Sequence, residues 1–343
     1  MDEEILQLLR EHPSAFLSGE EISRRLKVSR TAVWKRMERL RAMGYEIEAS
    51  TRSGYRLVQS PDLLTPSEIK PLLKTKWMGK RIHHFQTIDS TNSKAYQLAL
   101  SGAEEGEVVL SELQEKGKGR LGRQWFSPPS LNLYLSVILR PRIPPHQAPL
   151  ITLMAAVATA DAIRKFSGLL PSIKWPNDIL LRDRKVAGLL NEIHSEMDRV
   201  HFVILGIGVN LNMDAEKFSK EIRSIATSLK MEMGQTVSRK DFLKSLLLEL
   251  ESWYSIFLEE GGAVVLKAWK DRADIRGREV KVTSFGETVV GTAIDVDSDG
   301  ALILETGDGK QRRVMAGDIE YSKKIEAPNI KHQISNKSEC PKL

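Results

Sequence analysis

The chain has 343 residues, 41% hydrophobic and 28% charged, with a net charge of +6 and a pI near 9.2. This length suggests two or three domains with packed cores, and the composition excludes a disordered or fibrous protein. The longest apolar stretch, residues 150–161, is too short to span a bilayer, and the acidic start MDEEILQLL argues against a signal peptide. We therefore expect a cytoplasmic protein with no membrane partner. Its single cysteine, Cys340, excludes an intramolecular disulfide.

Residues 1–62 predict a winged helix-turn-helix domain. Three helices are expected, over 3–11, 19–26 and 29–43, and Ser29 is a natural N-cap for the third. The segments YEIEAS and GYRLV then predict a hairpin, which would be the wing.

The charge of this first domain indicates DNA binding. Between residues 22 and 41, eight lysine and arginine side chains accompany one glutamate. A recognition helix in a major groove needs this sign of charge, with short polar side chains near its N-terminus to reach base edges. We prefer this interpretation to a dimerisation bundle with a solvated basic face. The predicted DNA-binding residues are Ser29, Arg30, Thr31, Lys35, Arg39 and Arg52.

A short connector with two prolines leads into a second domain, placed over residues 63–270. Its pattern of apolar residues predicts a mixed α+β organisation. Helices are expected over 66–74, 90–101, 150–166, 215–229 and 238–259. Strands are expected over 82–86, 107–111, 132–139, 172–175, 178–182, 186–193 and 202–212.

The segment QEKGKGRLGRQW (114–125) combines four cations with three glycines. Glycine lets the backbone turn tightly and approach a ligand, while clustered Lys and Arg neutralise an anion such as phosphate. The spacing also fits a dinucleotide fingerprint, but Pro128-Pro129 forbids the helix that such a site needs after its third glycine. Taken alone, the segment fits either a solvated basic loop or a loop that folds over a phosphate-bearing ligand.

Four other polar motifs could carry chemistry, although each also has an ordinary structural explanation. DSTN (89–92) opens a helix and fits N-capping, and KWPND (174–178) fits a turn between strands. RKVAG (184–188) brings one lysine into an apolar strand, as a plain hairpin lysine would. GIGVN (206–210) ends a buried strand with two glycines, which either admit a ligand or form a bend.

Residues 271–322 predict a third unit, made of strands. The segments EVKVTS, ETVVGTAIDV, ALILET and QRRVMA alternate like strands and are separated by turns that contain glycine. The run from Asp295 to Gly300 begins like an EF-hand loop, but Thr306 stands where that loop needs Glu, so a hairpin turn is the better interpretation. The polar tail, 323–343, is expected to be disordered.

The chain resembles the biotin protein ligases in motifs that follow one another in order: QEKGKGRLGRQW, SPPSLNLYLS, KWPNDILL, RKVAGLLNE and GIGVN. With its helix-turn-helix, it is similar to the bifunctional members, which combine biotin ligase and biotin operon repressor. The resemblance covers residues 1–322. It implies a class II synthetase-like sheet in the central domain and an SH3-like β-barrel at the C-terminus. Lys118 departs from the family loop, which usually has Arg, and Ser130-Leu131 stands where glycine is common.

This resemblance implies an activity and partners. The family activates biotin with ATP to biotinyl-5′-AMP and then passes biotin to a lysine of a biotin carboxyl carrier protein. The adenylate is also the co-repressor, which drives homodimers onto operator DNA. Mg²⁺ is expected to enter with ATP, held mostly by phosphates, because the sequence shows no dedicated carboxylate cage and hence no metal site built by the protein.

The resemblance also assigns roles to individual residues. Lys185 would hold the oxygens of the reacting carboxylate and α-phosphate, and Arg120 would meet phosphate, because cations must offset the repulsion between two reacting anions. Gln114 would face the ureido ring of biotin. The biotin site would comprise Ser90, Thr91, Asn92, Gln114, Lys118, Gly119, Arg120, Lys185 and Gly188. The ATP and adenylate site would comprise Arg120, Arg123, Trp125, Asn177, Lys185 and Asn210.

Two alternatives from other classes remain open. A lipoate-type acyl-protein ligase would share the fold and use a different acid, but the glycine loop and KWPND favour biotin. A DNA-binding ligand sensor that has lost catalysis is disfavoured by the presence of Lys185, Arg120 and Gln114.

Overall fold

The computed structural model describes residues 2–284 and 286–321. The chain divides into two compact units, the first formed by residues up to 274 with 296–300 and the second by the remaining residues from 275 onward. The domain limits expected from the sequence stay predictions. The expected disordered tail, 323–343, and Cys340 lie outside the described residues.

The N-terminal segment of the first unit is a winged helix-turn-helix, as predicted. Its elements are α1 (Asp2–Glu11), α2 (Gly19–Leu26), α3 (Arg30–Ala42) and an antiparallel hairpin of β1 (Glu46–Ser50) with β2 (Gly54–Gln59). Ser29 Oγ caps α3 by accepting a hydrogen bond from the N–H of Ala32 at 3.1 Å. Val33, Met37 and Leu40 face the core and are buried, which leaves the basic residues of α3 on the outside.

A seven-stranded sheet forms the centre of the first unit, in the order β3-β4-β5-β9-β8-β7-β6. Only β3 and β4 are parallel, and the other neighbours run antiparallel. The strands are β3 (Ile82–Ile88), β4 (Val108–Gln114), β5 (Leu133–Leu139), β6 (Ser172–Lys174), β7 (Asp178–Leu181), β8 (Arg184–Ser195) and β9 (Val200–Val209). The predicted α+β class is confirmed.

Helices pack against this sheet and bury its apolar side chains. They are α4 (Pro66–Ile69), α5 (Thr91–Leu100), α6 (Ala148–Ser167), α7 (Leu229–Met233), α8 (Arg239–Glu260) and α9 (Gly262–Lys270). Helix α5 packs on β4, β5 and β9 through Ala95 and Ala99, which meet Ile138 and Ile204. Helix α6 packs against β6 to β9 and also contacts α8 and α9. No helix in the described ranges is both long and apolar enough to cross a membrane.

The helix predicted over 215–229 is wrong. The structure has a single 3-10 turn, Ala215–Lys217, then turns, and a helix only at α7. The backbone of residues 225–229 pairs with the strand region instead, and Ser228 caps α7 by accepting from the N–H of Met231 at 3.1 Å. Serine and threonine favour such local bonds over a helix interior. Helix α9 was not predicted either; Gly261, with a φ of 82°, separates it from α8.

The second unit contains a five-stranded sheet in the order β13-β12-β11-β10-β14. Its strands are β10 (Glu279–Ser284), β11 (Glu287–Val296), β12 (Leu302–Glu305), β13 (Gln311–Val314) and β14 (Asp318–Tyr321). Four strands were predicted and β14 was not. The EF-hand-like run is a turn in which Gly300 N–H donates to Asp297 O at 3.0 Å. Closure of this sheet into an SH3-like barrel stays a prediction.

Candidate active site and DNA-binding surface

A buried polar cluster joins the start of α5 to the end of β4. Gln114 Oε1 accepts hydrogen bonds from the backbone N–H of Thr91 at 2.8 Å and from its hydroxyl at 3.1 Å. Ser136 Oγ, on β5, lies 2.8 Å from Thr91 Oγ1 and 2.6 Å from Asn92 Oδ1. Ser90 is also buried, and its side chain makes no capping bond to α5, so N-capping does not explain it. The predicted biotin-site residues of α5 and β4 therefore lie together.

Gly206 makes room for this cluster on the neighbouring strand β9. A Cβ atom at Gly206 would lie 2.1 Å from Asn92 Oδ1, which is far inside van der Waals contact. Asn92 Nδ2 also donates to the carbonyl of Leu190 at 3.3 Å, so its amide spans β8 and β9. The first glycine of GIGVN thus permits a close approach rather than a bend.

The glycine-rich segment forms a folded loop beside the cluster. Trp125 N–H donates to Gly117 O at 2.8 Å, and Gly119 N–H donates to Arg123 O at 2.7 Å. Gly117 must be glycine, because a Cβ atom there would lie 2.4 Å from Trp125 O and 3.1 Å from Gln114 Nε2. Ser130, where the family commonly has glycine, adopts a φ of 58°, in the left-handed region that glycine favours.

The loop covers a cavity of about 630 Å³, a size typical of small-molecule sites. Lys116 to Gln124 line one side, and Asp89, Ser93, Leu190 and Glu192 line the other. Lys118 Nζ pairs with Glu192 Oε1 at 2.9 Å, so the positive charge of Lys118 is balanced by a carboxylate on β8.

Trp125 ends the loop and lies against two glycines that pair across β8 and β9. A Cβ atom would come within 2.4 Å of the indole at Gly208 and within 2.9 Å of it at Gly188. The indole Nε1 is buried and lacks a hydrogen-bond partner, although it is a donor. The absence of side chains at Gly188 and Gly208 is what allows the indole to pack directly on the sheet.

Lys185 stands at the start of β8 beside that ring. Its Nζ lies 5.3 Å from the centroid of Trp125 and 2.7 Å from Asp178 Oδ1 on β7. The side chain is 33% exposed, which leaves the ammonium accessible to an anionic ligand. Asp178 is the acidic residue of KWPND, so two of the motifs meet in this ion pair.

Asparagines at two further motifs complete the basic end of the site. Arg120 Nη1 donates to Asn177 Oδ1 at 3.2 Å, and Asn177 Nδ2 donates to Leu189 O at 2.6 Å. Asn210 N–H donates to Val186 O at 2.8 Å, directly beside Lys185. The predicted biotin- and ATP-site residues thus come from the start of α5, from the strands and the turns that follow them, and from the glycine-rich loop. Ser136 and Ser127 are partners that were not predicted. Both were hidden because they meet Gln114 and Thr91 only through tertiary contacts.

The predicted DNA-binding residues lie away from this site, on the winged helix. Arg30, Thr31 and Lys35 are exposed along α3, and Arg52 is exposed at the tip of the wing. Arg39 is also exposed, with its Nε 3.5 Å from Asp2 Oδ2. Ser29 already accepts the capping bond described above.

Trp34 is an exposed aromatic side chain on the same helix, and it was not among the predicted DNA-binding residues. Its side chain is 53% exposed and lies off the apolar stripe of α3. An apolar ring beside cations is suited to packing on sugar or thymine methyl groups at a groove. The sequence pattern does not reveal Trp34, because it belongs neither to the apolar stripe of α3 nor to its run of basic residues.

A buried ionic cluster fixes the connector between the winged helix and the central sheet. Glu112 Oε2, on β4, accepts from Arg239 Nη1 at 2.6 Å, and its other oxygen lies 3.4 Å from both His84 Nε2 and Leu64 N. Burial raises the pKa of Glu112, but the hydrogen bonds from His84 and Arg239 and the charge of Arg239 outweigh it and lower the pKa to about 2. Arg239 N–H also donates to Asp62 Oδ2 at 2.9 Å.

Comparison with protein families assigns each part of the chain. Residues 84–210 match the biotin/lipoate A/B protein ligase family, residues 2–56 match a helix-turn-helix domain, and residues 276–321 match the biotin protein ligase C-terminal domain. The predicted architecture of winged helix, ligase domain and C-terminal β domain is confirmed by these matches.

Individual proteins agree with this assignment. The bifunctional ligase/repressor BirA of Bacillus spizizenii is 39% identical over 317 residues, which is 92% of this chain and 97% of that protein. The Escherichia coli BirA is 32% identical over 305 residues, 89% of this chain and 92% of that protein. The solved biotin protein ligase from Aquifex aeolicus, in complex with biotin and ATP, covers 71% of this chain and 99% of its own, with 25% identity and a TM-score of 0.61. The chain therefore belongs to the family of bifunctional biotin protein ligases and repressors.

Proposed function

We propose that this protein adenylates biotin with ATP, transfers biotin to a lysine of a biotin carboxyl carrier protein, and represses transcription as an adenylate-bound dimer on operator DNA. The observation that carries the ligase half is the convergence of Lys185, the basic loop and the Gln114 cluster over one sheet. The repressor half is supported by the winged helix with an exposed, basic α3.

The polar cluster of Gln114 is suited to hold the head of biotin. A ureido ring presents one carbonyl and two N–H groups, and a buried site recognises it by hydrogen bonds that water would otherwise make. Thr91, Asn92 and Ser136 are buried and Gln114 is partly buried, and together they offer both donors and acceptors. The carboxylate end of biotin would then point toward the basic end of the site, where Lys185 and Arg120 lie.

The cations carry the chemistry at that end. Attack of the biotin carboxylate on the α-phosphorus of ATP brings two anions together and releases pyrophosphate, so preorganised positive charge lowers the barrier. Lys185 would contact the oxygens of both reacting groups, and Arg120 and Arg123 the phosphates. Trp125 would pack against the nucleotide, and Asn177 and Asn210 would contact the nucleotide end of the site. Closure of the loop, including Lys118 and Gly119, would exclude water from the mixed anhydride.

Magnesium would enter this site with ATP. Mg²⁺ is usually held by one or two carboxylates and by substrate phosphates rather than by a cage of protein ligands. In the part of the chain that the structure describes, no group of three or more His, Cys, Asp or Glu side chains could hold a metal ion. Asp178, 2.7 Å from Lys185, is a carboxylate near the phosphate path. The ion would screen the phosphate charges.

The acid specificity separates the proposal from its closest alternative, a lipoate ligase. Pyrophosphate release is measured with ATP and either biotin or lipoate. We expect release with biotin at least about a hundredfold faster than with lipoate, because a site built to hydrogen-bond a ureido ring rejects an acid that lacks it. Faster release with lipoate would contradict the proposal, and no release with either acid would favour the ligand sensor.

Dimerisation is supported by an open edge of the central sheet. β7 pairs with β8 only as far as Gly188, so within the described structure the rest of β8 extends beyond it. Ile193 on this edge is 42% exposed, and Met197 just beyond β8 is fully exposed. An unpaired edge with apolar side chains is a template for pairing with a second copy. Glu192, the partner of Lys118, lies on the same edge and connects it to the ligand loop.

The repressor half is tested by gel shift with and without biotin and ATP. We expect the adenylate to strengthen binding to operator DNA, because dimerisation adds the contacts of a second half-site. An operator affinity that the adenylate does not change would contradict the repressor half and leave the ligase half standing.

A further inference from the structure

The backbone N–H and carbonyl of Lys185 are both hydrogen-bonded to one segment that is distant in the sequence. Lys185 N–H donates to Ile225 O at 2.7 Å, and Thr227 N–H donates to Lys185 O at 2.9 Å. We call residues 225–232 the clamp segment. Both backbone groups of Lys185 are thus committed to it, so the clamp fixes where this side chain leaves the sheet.

The same segment holds Asn210, at the end of β9. Leu229 N–H donates to Asn210 O at 3.0 Å, and Asn210 Nδ2 donates to Thr227 O at 3.1 Å. Two residues assigned to the ATP end therefore share one support. Thr227 contributes its N–H to Lys185 and its carbonyl to Asn210, so a shift of this one residue would move both.

Glu232 anchors the clamp segment to β8. Its side chain is only 1% exposed, and it accepts from Thr227 Oγ1 at 2.6 Å and from Arg184 Nη2 at 2.6 Å. Its second oxygen lies 3.4 Å from Arg182 Nε. Arg184 directly precedes Lys185, so one buried carboxylate ties the clamp to the residue next to the proposed catalytic lysine. A buried carboxylate with charged and hydroxyl partners is costly to disturb, because removing it leaves those partners without an acceptor.

We propose that Glu232 is a positioning residue for adenylation, acting through Thr227 and Arg184 to hold Lys185 on the path of the transferring phosphate. The inference rests on the proposed function. Glu232 contacts neither the loop nor the Gln114 cluster in any hydrogen bond of the described structure, so biotin binding should be spared while the chemical step slows. Misplacing a reacting group by about 1 Å can cost about a hundredfold in rate.

The test compares Glu232→Ala and Glu232→Gln with wild type in single-turnover formation of biotinyl-5′-AMP. Glu232→Ala should lower the rate about ten- to a hundredfold while the biotin Kd, measured by calorimetry, stays within about twofold. Glu232→Gln keeps an acceptor for Thr227 and should restore part of the rate. Asp214→Ala is the matched control. Asp214 pairs at 2.8 Å with Lys230 of α7, the helix that carries Glu232, and it does not reach Arg184 or Thr227. This substitution should leave the rate unchanged.

A double-mutant cycle with Lys185→Ala distinguishes positioning from a general loss of stability. If Glu232 acts through Lys185, then Glu232→Ala should cost nothing further once Lys185 is absent, because the two residues act as a unit. A Glu232→Ala rate within about threefold of wild type, or a full additional loss in the Lys185→Ala background, would overturn the inference. If Glu232→Ala does not fold, Glu232→Gln decides, and a wild-type rate for it would overturn the inference. Failure of the proposed function would look different, since wild type itself would form no biotinyl adenylate.

Discussion

Replacing Gly208 with alanine would test whether the nucleotide site depends on close packing of the Trp125 indole against β9. The new methyl carbon would lie 2.4 Å from Trp125 Cε2 and 2.6 Å from its Nε1, so the indole must leave its position against β9. Gly208 does not adopt a positive φ, so alanine meets no backbone strain and the effect comes from the ring alone. Overpacking of this kind costs about 1–3 kcal/mol.

That cost predicts a loss in kcat/KM for adenylate synthesis of about 5- to 150-fold, since about 1.4 kcal/mol is tenfold. The assay is pyrophosphate release with ATP and biotin varied separately. The ATP dependence should change more than the biotin Kd, because Trp125 is assigned to the nucleotide. Gly307→Ala is the matched control, because a Cβ atom at Gly307 meets nothing within 4 Å.

The decisive comparison is made in a Trp125→Ala background. With the indole gone, the alanine at position 208 has nothing to displace, and its penalty should disappear. A penalty that persists in this background, or a Gly208→Ala enzyme with wild-type kcat/KM, would refute the reasoning.

Three further outcomes follow from the same structure. Lys185→Ala should slow single-turnover adenylation more than about a hundredfold, because a preorganised charge in the transition state contributes roughly 3–4 kcal/mol, and a rate within about threefold of wild type would contradict its role. Lys35→Ala, on the exposed face of α3, should weaken operator binding in gel shifts. If Lys35 contacts phosphate, the slope of log affinity against log salt concentration should also fall by about 1, and if it reads a base, sequence preference should relax. Ligase activity should be untouched, and unchanged DNA binding would contradict the role assigned to Lys35. Because folding lowers the pKa of Glu112 from 4.5 to about 2, its contribution to stability, about 3 kcal/mol, is present above pH 4.5 and is lost as pH falls toward 2. In urea unfolding, the free energy of unfolding should fall less between pH 4.5 and pH 2 for Glu112→Gln than for wild type. An equal fall in the two proteins would rule out Glu112 as the source of this pH dependence.

The parts of the fold that the sequence predicted are those with strong local signals. Apolar periodicity located α3 and α8, and alternation located most strands, because these patterns depend on residues close in sequence. The site motifs were recognisable for the same reason: Gly117, Gly206 and Gly208 are needed where side chains or backbone approach within 3 Å of the missing Cβ.

The parts that the sequence analysis missed depend on long-range contacts. Residues 225–229 of the clamp segment fell within the helix predicted over 215–229, yet their backbone bonds Lys185 and Asn210, far away in the chain. Ser136 carries no motif, and its importance arises only because β5 lies beside α5. A misassigned segment next to a site is a common sign of function, since local preference there is overruled by what the site requires.

The most direct test of the central claim follows the biotinyl group through both steps. The full chain is incubated with biotin and ATP labelled at the α-phosphate, and a biotin carboxyl carrier domain is then added. We expect a labelled biotinyl-5′-AMP that forms only when biotin is present and disappears as one carrier lysine gains biotin and labelled AMP is released. A carrier that stays unmodified while the adenylate persists, or a product formed from lipoate and not from biotin, would contradict the account.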